Sequence, residues 1–187
     1  PHSPFFAPQP WHRGLIALPK RREQDRQDLP PGALSLVRPK DWFWQGLQRL
    51  EVRQPGAWQR FVSSYVACAE FVDAQLGRLL DVIDASPRYR NAIIVLWSDH
   101  GFHLGEKNHI EKFALWEKTC HIPFLIVAPN VTRAGSVCDR PVDLSVLYPT
   151  LLELAGLPPD PQADGQSVLP LLRDHQAAWS QPAVMSY

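Results

Sequence analysis

The sequence predicts an α/β layered fold, a mixed or parallel sheet with helices flanking it. Three observations carry that expectation. Residues 57–84 repeat apolar side chains at three- and four-residue intervals, the period of a helix with one buried face. Residues 92–97 and 122–128 form apolar runs long enough for strands and too short for helices that cross a core. Their order along the chain is helix, strand, loop, strand, helix, which suits an α/β layered protein. The first run reads as a strand buried on both faces, the kind met in parallel sheets.

Composition narrows the class further. The 187 residues suffice for one domain or a large part of a bigger one. Nineteen basic residues balance nineteen acidic ones, which argues against a nucleic-acid partner or a polyanion-binding surface. No apolar run approaches the ~20 residues that span a bilayer. The three cysteines, Cys68, Cys120 and Cys138, lie far apart with no CxxC pair or zinc-like spacing, and their odd number argues against a disulfide framework, with a Cys120–Cys138 pair as the alternative. The chain starts at Pro1-His2 without an initiator Met, an opening expected of the middle of a protein.

Residues 1–56 are expected to be irregular and proline-rich, with residues 57–187 forming the α/β core portion. Phe5, Phe6 and Trp11 are the residues expected to pin the first segment down. A short helix over 41–53 is expected, with Asp41 as N-cap and Trp42, Leu47 and Leu50 as apolar contacts. Gln54-Pro55-Gly56 breaks the chain, and the long helix then runs until Ser86-Pro87 stops it. The His- and Lys-rich stretch 99–121 reads as a loop, with one helical turn near Leu115-Trp116-Glu117. Pro123 falls at the start of the second strand, where proline is tolerated. Asp143 is a plausible N-cap and Gly156 a stop for the next helix, with Pro149 forcing either a late start or a kink. A last short helix is expected near 168–172, and residues 183–187 resemble the beginning of another strand.

The chemistry gathers at the end of the first strand, where open α/β sheets bind ligands. Asp99 offers a carboxylate and His100 an imidazole. Adjacent side chains of an extended strand diverge, so both reach one metal only if the backbone turns, which Gly101 makes easier. The other reading is that Asp99 caps the turn and His100 is a packed polar residue. Lys112 lies beyond a loop containing His103, Lys107 and His109, and could hold an anionic oxygen or be solvated. His2, between Pro1 and Ser3-Pro4, could donate to a leaving group or be structural.

Taken together, Ser98-Asp99-His100-Gly101-Phe102-His103-Leu104-Gly105-Glu106, Lys112, and His121-Ile122-Pro123-Phe124-Leu125-Ile126-Val127 closely resemble the sulfatase family of the alkaline phosphatase superfamily. Pro1-His2-Ser3-Pro4-Phe5 is similar to that family's Lys-Pro-His-x-Pro-Phe segment. The helix 143–156 and Asp164-Gly165-Gln166-Ser167 also resemble family segments. Asp-His at 99–100 is nearest the iduronate- and choline-sulfatase branches. The resemblance implies a partial alkaline-phosphatase-like fold and a sulfuric ester hydrolase. It implies Asp99 and His100 as metal ligands, Lys112 on the sulfate oxygens, and His2 on the sulfate or protonating the leaving oxygen. The implied metal is Ca2+, with Mn2+ as the alternative, and the implied substrate is a small sulfate ester such as a sulfated sugar.

One departure matters. Sulfatases use a formylglycine made from the Cys of a Cys-x-Pro-Ser-Arg or Cys-x-Ala-x-Arg motif, and none of Cys68, Cys120 and Cys138 is followed by it. The family's paired N-terminal aspartates are also missing. The expectation is therefore the later part of a sulfatase catalytic domain, inactive by itself, with an uncovered sheet edge through which it can self-associate. A phosphodiesterase or phosphonate monoester hydrolase of the same superfamily, and a non-catalytic scaffold, are the alternatives.

Overall fold

The computed structural model describes residues 4–18, 25–36 and 42–186. The chain falls into two compact units, each built from separated stretches: Pro1–Pro87 with Phe102–Thr119, and Arg88–Gly101 with Cys120–Tyr187.

The first unit is organised by two helices, α1 (Trp42–Arg53) and α2 (Ala57–Ala85). At 29 residues, α2 is ~44 Å long. Its N-cap is Gly56, which has φ 85° and no side chain to offer the first amides. Glu51, from the last turns of α1, supplies the missing acceptors: the Gly56 and Trp58 amides each donate to its carboxylate at 2.8 Å. These two amides hold the Glu51 carboxyl below its usual range, the Trp58 bond contributing most. One carboxylate thus ends one helix and starts the next.

The predicted apolar stripe of α2 is covered only along its N-terminal half, where Val62, Ala67 and Cys68 are buried. Phe5 packs there, its ring centroid 5.0 Å from Phe61, 5.3 Å from Tyr65 and 5.4 Å from Phe102. Trp11 reaches Phe71 at 5.8 Å. Phe6 does not pin the segment, being 84% exposed. Its neighbour Phe5 takes the inward direction, and adjacent side chains of an extended chain point oppositely. In α1 it is Trp44 that is buried, whereas Trp42 and Leu50 are exposed. The expected cap Asp41 lies outside the described residues.

The stretch expected to be loop contains a small hairpin. Strands β2 (His103–Leu104) and β3 (Ile110–Glu111) pair antiparallel, His103 opposite Glu111 and Leu104 opposite Ile110. Trp116 then packs with Ala114 and Leu29, its indole N–H donating to Ala33 O at 2.9 Å. The short helix α3 (Glu117–Cys120) sits close to the turn expected from the sequence.

The second unit holds β1 (Ile94–Trp97) and β4 (Phe124–Val127). The α/β class holds, but these strands pair antiparallel, from Ile94 opposite Val127 to Trp97 opposite Phe124. Neither is buried on both faces. Phe124 and Ile126 pack under Val146, Val168 and Leu171, while Leu125 and Val127 stand exposed between them. Period-2 alternation therefore holds along β4 alone, whereas β1 runs from half-buried Ile94 and Val95 to exposed Leu96 and Trp97.

Asp143 opens the next helix as expected: its carboxylate accepts the Ser145 amide at 3.0 Å at the head of a 3₁₀ turn, Leu144–Val146. That turn leads into α4 (Leu147–Leu154). Pro149 falls in the first turn of α4, where its missing N–H has no intrahelical partner to lose, so no kink is needed. Thr150, fully buried, links α4 to α5 (Leu169–Arg173) by donating to Val146 O at 2.6 Å and accepting the Val168 amide at 2.9 Å. The residues before Tyr187 form no strand. Instead the Val184 amide donates to Asp143 at 2.9 Å.

Candidate functional site

The backbone turns immediately after β1, and the turn is self-made. Ser98 Oγ donates to His100 O at 2.8 Å and the His100 amide donates to Asp99 Oδ1 at 3.1 Å. The divergence expected of adjacent strand residues is thereby removed, and His100 Nε2 stands 3.6 Å from Asp99 Oδ2. His100 Nδ1 lies 2.7 Å from Gly101 O. A carbonyl can only accept, so Nδ1 carries a proton, and in the neutral ring Nε2 is the nitrogen with the lone pair.

The 3.6 Å separation suits either a proton-bridged His–Asp pair or a cation shared by the two side chains. Two atoms bound to one ion at about 2.1–2.4 Å each stand roughly 3.4–3.6 Å apart at ordinary ligand angles. The Asp99–His100 spacing fits that test. The backbone carbonyl on Nδ1 is the outer partner that fixes the tautomer of metal-ligating histidines. Asp99 is 72% exposed and His100 only 23%, so the pair opens to solvent through the carboxylate. Among the described residues no group of three or more His, Cys, Asp or Glu side chains converges on a metal position.

Lys112 belongs to the other unit and follows β3 directly. It is half-buried, and its ammonium has no hydrogen-bond or ion-pair partner among the described residues. Lys107 is different: its ammonium is 2.6 Å from Asp28 Oδ1 and 3.7 Å from Asp25 Oδ1, a cation already committed to structure. His2 lies outside the described residues.

His103 and His109 are buried, 2% and 1% exposed, with ring centroids 5.3 Å apart and both rings edge-on to Trp116. Burial pushes the His103 imidazole below its usual range, and His109 adds to the effect. These histidines form the core under the hairpin. The residues that hold the hairpin from outside, Asp25, Arg26, Asp28 and Trp58, carried no local signal. Their contacts reach 46 to 82 positions along the chain.

Comparison with known proteins bears on all of these residues. The family model described as Sulfatase matches residues 1–157. A protein named "Sulfatase" from Formosa agariphila is 35% identical over 191 residues, covering 100% of this chain and 37% of its own length. The solved structure of BT4656 in complex with its substrate D-glucosamine-2-N,6-O-disulfate is similar with a TM-score of 0.58 at 28% identity, over 68% of this chain and 28% of that one. The phosphonate monoester hydrolase SpPMH from Silicibacter pomeroyi shares the fold, with a TM-score of 0.70 at 24% identity over 97% of this chain and 37% of that one. This chain thus spans about a third of the length of the relatives it matches. The motifs around Asp99, His100 and Lys112 lie within the stretch that the family model matches, and the chain belongs to the sulfatase family.

Proposed function

We propose that this chain carries part of the active site of a sulfuric ester hydrolase acting on a small sulfated sugar. Asp99 and His100 hold a divalent cation and Lys112 contacts the sulfate oxygens. His2 contacts the sulfate or protonates the leaving oxygen. The observation that carries the reading is the turn after β1, which brings His100 Nε2 to 3.6 Å from Asp99 Oδ2. The sugar sulfate is suggested by the disulfated glucosamine bound to BT4656, a relative by fold and sequence.

The chemistry fits these side chains. Cleavage of a sulfate ester builds negative charge on the leaving and equatorial oxygens, and a bound cation supplies Lewis-acid stabilisation there. Lys112, a half-buried ammonium with no ion-pair partner among the described residues, can set a fixed positive charge against a sulfate oxygen. Ca2+ is the proposed ion, and the imidazole ligand keeps Mn2+ as the alternative. None of Cys68, Cys120 and Cys138 carries a formylglycine motif, so the proposal assigns no nucleophile to these residues.

A second reading, phosphonate monoester or phosphodiester hydrolysis, is favoured by the imidazole at position 100 and accommodated by the fold shared with SpPMH. Two measurements decide. Titration calorimetry with Ca2+ and Mn2+ should show binding that drops at least tenfold in Asp99→Ala and in His100→Ala. Unchanged affinity in both variants removes the metal assignment. The intact protein should turn over an aryl sulfate faster than an aryl phosphodiester, and the reverse preference selects the second reading.

A further inference from the structure

The hairpin that delivers Lys112 has a backbone its own residues would not choose. Lys107 and Asn108 sit at φ 55° and 53°, and Glu111, directly before Lys112, at φ 94°. Asn108 tolerates this region, but lysine and glutamate avoid it because Cβ crowds the carbonyl, so Lys107 and Glu111 are the unfavourable positions. The turn closes on itself through the His109 amide and Glu106 O at 3.1 Å, and the cost of Lys107 in this conformation is met by contacts from outside it.

The surroundings here are three residues far away in sequence. Arg26 spreads its guanidinium over successive carbonyls of the two left-handed residues, Nε donating to Lys107 O at 2.6 Å and Nη2 to Asn108 O at 2.9 Å. Asp25 Oδ2 accepts the Lys107 amide at 2.6 Å, and Asp28 Oδ1 accepts the Lys107 ammonium at 2.6 Å. The main-chain N–H and C=O of Lys107 are therefore both held from the segment Asp25-Arg26-Gln27-Asp28. A planar guanidinium fork suits two adjacent acceptors, and a lysine could not reproduce it.

We propose that Asp25, Arg26 and Asp28 are positioning residues that hold the turn at Lys107-Asn108 in its left-handed form and thereby set the exit of β3, so that Lys112 meets the sulfate oxygens. The proposal rests on the reading of Lys112 given above. Arg26 touches no substrate, and its effect passes through the hairpin.

The test combines hydrogen exchange with a double-mutant cycle in the intact protein. In Arg26→Ala the amides of residues 106–111 should exchange at least ten times faster, while those of α2 are unchanged. The kcat/KM for an aryl sulfate should fall roughly 10- to 100-fold, since a displacement of about 1 Å in a contact group costs on that order. Arg26→Ala combined with Lys112→Ala should be no slower than Lys112→Ala alone, because a misplaced Lys112 is already lost. Arg26→Lys, which keeps the charge but not the fork, should fall between, and it carries the test with Asp25→Asn if Arg26→Ala does not fold. Losses that multiply in the double variant, or unchanged exchange of the hairpin, overturn the proposal. If Lys112→Ala keeps full turnover, the sulfate-contact reading itself fails and the proposal falls with it. The exchange data then still show whether the three residues hold the turn.

Discussion

Gly105→Ala tests how tightly the hairpin is fitted against α2. Gly105 has φ 128°, and a methyl group added there would lie 2.8 Å from Trp58 Nε1 and 3.1–3.2 Å from two indole carbons. The backbone conformation alone costs a residue with a Cβ about 1–3 kcal/mol. Relief of the clash requires the indole to move, and the indole N–H donates to Leu104 O at 2.6 Å. Losing that bond with its partners half-buried adds about 1–3 kcal/mol. The two contributions together come to about 4 kcal/mol. With a urea slope of about 2 kcal/mol/M, the midpoint for the unit containing Gly105 should drop by roughly 2 M. Hydrogen exchange in urea, read on amides of α2, follows that unit separately from the other. In a Trp58→Phe background the clash largely disappears, so Gly105→Ala should there cost only the backbone contribution. A loss below about 1 kcal/mol with Trp58 present would refute the reasoning, since that is the least the backbone strain alone can cost.

Three further outcomes follow from particular contacts. Thr150→Val should cost about 2 kcal/mol, because it keeps the shape but orphans the buried Val168 amide, whereas Thr150→Ser should cost about 1 kcal/mol for the lost methyl; denaturation midpoints of the two variants give the order. His103 has a folded-state pKa below its ordinary value of 6.5, so its neutral form is the one the fold accepts. The associated stability is complete above about pH 6.5 and declines as pH falls from there toward the lowered value, a slope that His103→Phe should flatten in melts taken between pH 7.5 and 5. Finally, β1 and β4 leave Leu96, Trp97, Leu125 and Val127 exposed and pair only with each other among the described residues. Sedimentation should therefore show association that a Leu125→Lys substitution reduces.

Legibility in the sequence depended on how local each determinant was. Helix α2 was readable because its period is written in consecutive residues, and α4 because Asp143 and Gly156 mark its ends within one short stretch. The strands were readable as apolar runs, but not their burial. Whether Leu125 faces a core or solvent depends on what covers the sheet, which the run does not encode. Asp99 and His100 could be named as a pair because they are adjacent, and a local turn sufficed to bring them together. The hairpin was missed for the opposite reason. Asn108 accepts left-handed backbone readily but Lys107 does not, and the group that braces the turn, Arg26, lies 81 and 82 positions away.

The interleaving of the two units constrains how the chain can be made. Each crosses into the other's sequence, at 87–88, 101–102 and 119–120. During synthesis at about 5–20 residues per second, α2 emerges well before the hairpin that completes its unit. β1 emerges next and waits for β4, some thirty positions later, with its apolar side chains uncovered. Neither unit can be released as a continuous piece by a single cut, and a nick at 101–102 would divide both. An expression boundary placed at residue 87, where the long helix has just ended and a designer would first look, strips the first unit of its 102–119 stretch and leaves that stretch as an unpartnered insert in the second.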